Sequence, residues 1–140
     1  MKKISLIFAV FVLCISILSC SAGISRDEAD IIARDLLNKL AEDDIEGATE
    51  MMHPSTNTTV ELFEAYIEAL EKSECVNFGM LDEVKLLSNF SSAVYSSSVG
   101  GSYYEIQYRL VQGDLSFRCI IEIIKVDDII GVSNIEISVE

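Results

Sequence analysis

After an N-terminal apolar run, hydrophobic residues recur at steps of three and four, which predicts amphipathic helices. The first helix starts at a capping box with Ser25 as N-cap and runs to about Ala41. The second covers 45–52 and ends before Pro54, because proline disfavours helical geometry in the residue ahead of it. A second capping box, with Thr58 as N-cap, opens the third helix.

Beyond Cys75 the period of the apolar positions shortens toward two, which is typical of strands with one buried face. The candidate strands cover 84–87, 93–95, 104–110, 115–123 and 129–139. A tight hairpin is expected at Gly113 and Asp114, and a bulge near 131–134, where the apolar phase shifts. The order of elements predicts the α+β class, with three N-terminal helices packed on one face of a curved antiparallel sheet.

The N-terminal apolar run has the pattern of a bacterial secretory signal. Lys2 and Lys3 give a positive start, and the apolar run over 4–18 is fifteen residues long. That is short of the roughly 20 residues needed to span a bilayer as a helix. The run closes on Ser19 and Cys20, which resembles the lipobox of bacterial lipoproteins. This resemblance implies cleavage before Cys20 and lipid attached to its sulfur and amine.

The lipobox divides the chain into a signal peptide over 1–19, a lipidated tether over 20–24 and a single α+β domain over 25–140. Plain secretion after cleavage near 21–23 and a retained membrane anchor are the alternatives. The residue after Cys20 is Ser21 and not Asp. By the same resemblance, this implies an outer-membrane location facing the periplasm in a host with two membranes.

Charge limits the partners of the domain. The chain has 10 Lys and Arg against 23 Asp and Glu, and removal of the signal changes the formal net charge from −13 to −15. Such a surface repels phosphate backbones, so nucleic acid is not an expected partner. A cationic partner is allowed, although solubility alone also accounts for an acidic surface.

Only Cys75 and Cys119 remain as cysteines that could pair, because Cys14 leaves with the signal and Cys20 is lipidated. Export to an oxidising compartment favours a Cys75–Cys119 disulfide, whereas the apolar neighbours of Cys119 favour a buried free thiol. Both alternatives stay open. Two cysteines and one histidine without clustered spacing do not predict a metal site, and no cofactor is expected.

The segment Ala-Glu-Asp-Asp-Ile-Glu-Gly-Ala at 41–48 resembles the helix–helix junction of nuclear-transport-factor-2-like domains. The third helix and a closing hairpin over 118–137 extend the resemblance to about 25–140, although many relatives have Trp where Ile129 or Ile130 stands. The resemblance implies a cone, in which the sheet curls around a helix and leaves a pocket at its open end. A cystatin-like arrangement is the alternative fold.

Enzymes that resemble this family, such as ketosteroid isomerases, place Asp, His or Tyr inside the cone. The predicted inward positions of the sheet include Tyr104 and Tyr108 but no carboxylate, so no catalytic constellation is predicted. Tyr66, Tyr104 and Tyr108 are either pocket lining or plain core. His53, the single histidine, is expected to satisfy carbonyl groups at a helix end.

These observations favour a membrane-anchored envelope lipoprotein with a noncatalytic domain that binds an unknown protein or belongs to an assembly. Binding of a small apolar molecule in the cone is the alternative, and a ketosteroid-isomerase-like enzyme is the third hypothesis. A homodimer through the outer sheet face is also considered, since that face is predicted to carry apolar residues. Its predicted members are Arg109, Val111, Ile120 and Ile124.

Overall fold

A computed structural model describes residues 23–92 and 101–140. The α+β class is confirmed, since three helices pack against a four-stranded antiparallel sheet. The helices are α1 Arg26–Ala41, α2 Ile45–Glu50 and α3 Val60–Glu74, and the strands are β1 Glu83–Ser92, β2 Ser102–Gln112, β3 Leu115–Val126 and β4 Ile129–Val139. Cys20 and the candidate strand 93–95 lie outside the described residues.

Helix α1 begins as the sequence predicts. The Ser25 hydroxyl accepts a hydrogen bond from the Glu28 N–H at 3.2 Å, and the Glu28 carboxylate accepts one from the Ser25 N–H at 3.4 Å. This reciprocal capping box satisfies two of the free donors at the start of the helix. Leu36 and Leu37 then bury one face of α1 against the sheet.

The connection from α2 to α3 differs from the prediction in three respects. Helix α2 ends at Glu50, and Pro54 opens a single 3-10 turn, Pro54–Thr56. The N-cap of α3 is Thr59 rather than Thr58, and its hydroxyl accepts from the Leu62 N–H at 3.3 Å. The Thr58 hydroxyl instead contacts the Thr56 hydroxyl at 2.7 Å, so it does not cap the helix.

The sheet is an open meander in the order β1-β2-β3-β4. A two-residue connection joins Gln112 to Leu115, with Gly113 at φ +58°, which confirms the predicted tight hairpin. The predicted bulge in β4 is also confirmed. Glu122 pairs with Asn134 and Ile123 with Val132, so Ser133 is the additional residue.

The space between the helices and the sheet is filled with side chains. Alternating residues of β2 and β3 contribute to the core under the helices, and the fully buried ones are Ile106, Tyr108, Leu110, Phe117, Cys119, Ile121 and Ile123. The interior therefore forms a packed core at the positions where the sequence suggested pocket-lining tyrosines.

Candidate functional site

The three candidate pocket tyrosines have different positions. Tyr104 and Tyr108 are buried in the core. Tyr66 is 40 % exposed and lines a cavity. Of the three tyrosines, Tyr66 therefore lies at a cavity, whereas the rings of Tyr104 and Tyr108 fill the core.

The cavity beside Tyr66 has a volume of about 250 Å³ and is open to solvent. We call it the β4 groove, because strand β4 forms one side, helix α3 the second and the loop before α3 the third. Its lining residues are Met52, Thr56, Asn57, Thr58, Leu62, Phe63, Tyr66, Ser133, Asn134 and Ile135. They combine an apolar patch with hydroxyl and amide groups, and none is charged, a composition typical of binding pockets.

Pro54 accounts for one boundary of the groove. Just before it, the chain lies along the edge of β4, where Met52 forms a parallel bridge with Val132. The His53 N–H donates to the Val132 carbonyl at 2.8 Å, and the Val132 N–H donates to the Met51 carbonyl at 2.9 Å. Proline has no N–H to continue this pairing, and the chain turns away into the 3-10 turn. The edge of β4 beyond Val132 is therefore left to other groups.

Helix α3 supplies those groups. The Tyr66 hydroxyl donates to the Ile135 carbonyl, and the Glu74 carboxylate accepts from the Val139 N–H at 3.3 Å. Both backbone groups point away from β3, as expected for residues an even number of positions apart in a strand. The pKa of Tyr66 is raised by burial and by the nearby charge of Glu136. Side chains of α3 thus occupy the edge of β4 where main chain could otherwise pair.

His53 anchors the loop that borders the groove. Its side chain is only 4 % exposed, and its Nδ1 accepts from the Ser55 N–H at 3.1 Å. The imidazole thus caps the start of the 3-10 turn, whereas the sequence suggested a contact with helix-terminal carbonyls. Its Nε2 has no hydrogen-bond partner among the described residues. Gly131 permits this close packing, because a Cβ there would lie 2.6 Å from the His53 Cα.

An exposed apolar stripe continues from the groove along α3. Leu62 is 63 % exposed, and Ala65 and Ala69 are exposed at helical spacing from it. Beside this stripe, the solvent side of the helix carries a row of carboxylates formed by Glu61, Glu64 and Glu68. The groove therefore opens onto an apolar surface with an acidic border.

A second cluster, which sequence reasoning missed, joins α1 to β2. The buried Tyr108 hydroxyl donates to Asp30 Oδ1 at 2.5 Å, and Arg34 Nε donates to both Asp30 oxygens at 3.1 and 3.0 Å. The Arg34 guanidinium lies 5.3 Å from the centre of the Tyr108 ring, within range of a cation–π contact.

The hydrogen bonds of this cluster decide the protonation of its members. Burial acts to raise the pKa of Asp30, but the hydrogen bonds from Tyr108 and Arg34 outweigh it and lower the pKa below its usual value. Burial and the hydrogen bond to Asp30 together raise the pKa of Tyr108 far above its usual value. Asp30 is therefore held ionised and Tyr108 protonated.

The outer face of the sheet is more polar than the sequence suggested. The Tyr103 hydroxyl lies within hydrogen-bond distance of two carboxylates, 3.2 Å from Glu105 and 3.1 Å from Glu122, and shares its one proton between them. Arg109 pairs with Glu140 at 2.6 Å. Ile124, expected to be an exposed apolar residue of this face, is fully buried. The apolar surface on which the homodimer hypothesis depended is thus smaller than expected.

Cys75 and Cys119 are both free in the structure. Cys75 is exposed at the end of α3, whereas Cys119 is buried in the core. Burial raises the pKa of the Cys119 thiol to about 12, and the thiol is thus an inert core group.

Comparison of the chain with protein-family models, curated proteins and solved structures finds no match. Within residues 23–92 and 101–140, no helix is long and apolar enough to cross a membrane. In the same ranges, no group of three or more His, Cys, Asp or Glu side chains is placed to hold a metal ion.

Proposed function

We propose that this chain is a lipid-anchored protein of the bacterial envelope whose domain binds a partner protein without catalysing a reaction. The membrane part of the proposal comes from the lipobox-like ending at Cys20. The first helix is capped at Ser25, only five residues later, which would hold the domain close to the lipid surface. In a host with two membranes, we place it on the outer membrane, facing the periplasm.

The observation that carries the binding part is the continuous surface formed by the β4 groove and the exposed stripe of α3. Leu62 belongs to both and is 63 % exposed, although its neighbour Phe63 is buried in the core. A helix with one apolar face in the core and a second one in solvent is typical of a surface that another molecule covers.

The Asp30–Tyr108 pair supports the noncatalytic part of the proposal. Its two members are hydrogen-bonded, and their pKa values are shifted away from neutrality in opposite directions. A general acid or base works best when its pKa lies near the working pH. The pair instead suits a permanent connection between α1 and β2.

Binding of a small molecule is the second candidate, and the cavity in the groove favours it. A volume of about 250 Å³, lined by Phe63, Tyr66 and several polar groups, is at the lower limit for a small-molecule site. The exposed stripe of α3 lies outside the cavity and would stay uncovered by such a ligand. This difference favours a protein partner.

The finer fold proposal is a nuclear-transport-factor-2-like cone with a filled interior. Support comes from the resemblance at 41–48 and from helices packed on one face of an antiparallel meander. The bulges at Leu86/Ser88 in β1 and at Ser133 in β4 would bend the sheet, as a cone requires.

Photo-cross-linking in living cells tests the proposed function. The full chain carries a photoreactive amino acid either at Leu62 or at Ile31, an aliphatic residue of α1 with matching exposure (63 % and 68 %). We expect a discrete protein adduct from position 62 in the membrane fraction and none from position 31.

The intact mass of the processed chain should show lipid on Cys20, and Cys20→Ser should remove the domain from the membrane fraction. Equal labelling from both positions would refute the proposed surface, and an unmodified Cys20 would refute the anchor.

A further inference from the structure

We infer that the β4 groove binds an extended, cationic segment of the partner protein as a short strand beside β4. This inference rests on the proposed protein-binding function and adds the chemistry and geometry of the bound segment. It follows from three properties of the groove: a strand edge that side chains, and not main chain, hold beyond Val132, an apolar cavity and an acidic border.

The strand edge is the first property. The Met51–His53 segment already pairs with β4 at Val132 in the parallel direction. Beyond Val132, the chain turns away from β4 at Pro54. Farther along the same edge, the Ile135 carbonyl accepts a hydrogen bond from the Tyr66 hydroxyl. A strand placed in the groove would extend the same line of pairing, the usual way in which a sheet edge recruits a peptide.

The cavity is the second property. Met52, Leu62, Phe63 and Ile135 give it an apolar side, and about 250 Å³ is enough to take a large apolar side chain. Alternate side chains of a bound strand point in opposite directions, so one would enter the cavity and the next would face solvent. Thr56, Asn57 and Asn134 supply polar contacts at the rim.

The charge around the groove is the third property. The lining residues are uncharged, but Glu61, Glu64 and Glu68 are exposed on the solvent side of α3. On the β4 side, the Glu136 charge acts on Tyr66 and is exposed as well. Carboxylates on both sides favour a segment with Lys or Arg flanking its apolar residue and repel an acidic one.

Tyr66 provides a signature that distinguishes strand addition from other modes of binding. Its hydroxyl holds the Ile135 carbonyl, which an added strand would need as an acceptor. Tyr66→Phe keeps the aromatic ring in the groove and frees that carbonyl. Strand addition therefore predicts tighter binding by Tyr66→Phe, whereas a ligand that only uses the ring or the hydroxyl would bind equally well or less well.

The test uses the full-length lipidated chain in detergent micelles and a phage-displayed library of random short peptides as the probe. We expect enrichment of sequences with an apolar residue flanked by Lys or Arg. For a synthetic peptide of the best sequence, Leu62→Ala should weaken binding about tenfold, while the matched Ile31→Ala leaves it unchanged. Methylation of the peptide's backbone nitrogens should also weaken binding about tenfold, and Tyr66→Phe should strengthen it several-fold.

Several results would overturn the inference: no enrichment, enrichment of acidic sequences, or binding that tolerates both Leu62→Ala and backbone methylation. Insensitivity to methylation with sensitivity to Leu62→Ala would indicate side-chain binding in the cavity without strand addition. The photo-cross-link from position 62 separates this failure from failure of the proposed function. If the cross-link persists but these results are negative, a partner binds there by other chemistry.

Discussion

Tyr108 and Tyr66 each join a helix to the sheet through the hydroxyl group, but in surroundings that differ in burial and charge. Tyr108 is fully buried and donates to the ionised carboxylate of Asp30. Tyr66 is 40 % exposed and donates to the neutral carbonyl of Ile135. The same chemical group thus serves in one place as an internal connection and in the other as part of an accessible surface.

The difference lies in what replaces each bond when it is broken. Loss of the Tyr108 bond leaves the half-buried Asp30 carboxylate with one donor fewer and the buried end of the Tyr108 ring without its polar group. Loss of the Tyr66 bond leaves a carbonyl beside an open groove, where water or another chain can donate to it. A hydrogen bond that can be replaced costs little to break, so Tyr66 suits a surface that changes partners.

The largest expected effect is on Tyr108. Tyr108→Phe keeps the ring in the core but removes the donor to Asp30, and it should lower the free energy of unfolding by about 1.5–3 kcal/mol, as for other hydrogen bonds to charged groups. Urea unfolding near neutral pH, followed by circular dichroism, measures the change.

Tyr104→Phe is the matched control for this experiment. Tyr104 lies on the same face of β2 and is also buried, and its hydroxyl makes no hydrogen bond to another described residue. Its replacement should change stability by less than about 0.5 kcal/mol. Equal losses for the two variants would show that the Asp30 bond is not what distinguishes Tyr108.

A smaller effect is expected from the charge of Asp30. Its pKa is lowered in the folded state, so its ionised form stabilises the fold above the unfolded pKa of about 3.9, and this contribution is lost as the pH falls through the folded pKa. Asp30→Asn lacks this charge. The stability gap between the wild type and Asp30→Asn should be on the order of 1 kcal/mol near neutral pH and should shrink by about pH 3.

Asp35, an exposed carboxylate on the same helix, provides the matched control. Asp35→Asn should change the free energy of unfolding less than Asp30→Asn does, because Asp35 lies outside the cluster of Asp30, Arg34 and Tyr108. A gap for Asp30→Asn that stays constant with pH would show that Asp30 acts through its shape or neutral hydrogen bonding, and not through its charge.

Much of the fold could be predicted because it depends on neighbouring residues. The capping box at Ser25, the hairpin at Gly113 and the bulge at Ser133 each depend on a few consecutive positions. The N-cap of α3 is predicted at Thr58, because Glu61 three residues later completes a capping box. In the structure the Thr58 hydroxyl contacts Thr56, and Thr59 caps the helix instead.

The candidate site was less predictable because it depends on residues far apart in sequence. Asp30 and Tyr108 are 78 positions apart, and nothing in the local pattern marks them as partners. Tyr66 shares the spacing of a core residue, yet the rotation of α3 leaves it at the rim of a groove. The sequence predicts that the second helix ends before Pro54. It does not predict that Met52 pairs with Val132, and this pairing is why the turn at Pro54 leaves the edge of β4 uncovered.

The smallest effect is expected at Tyr66 and completes the comparison. Tyr66→Phe removes the donor to the Ile135 carbonyl but leaves the ring beside the groove, where water can take the donor's place. The free energy of unfolding should fall by about 0.5 kcal/mol, at the lower end for a hydrogen bond between neutral groups, with no change in its dependence on urea. A loss as large as that for Tyr108→Phe would mean that Tyr66 is a structural connection. In that case, α3 and β4 would not separate easily enough for Ile135 to accept a new partner.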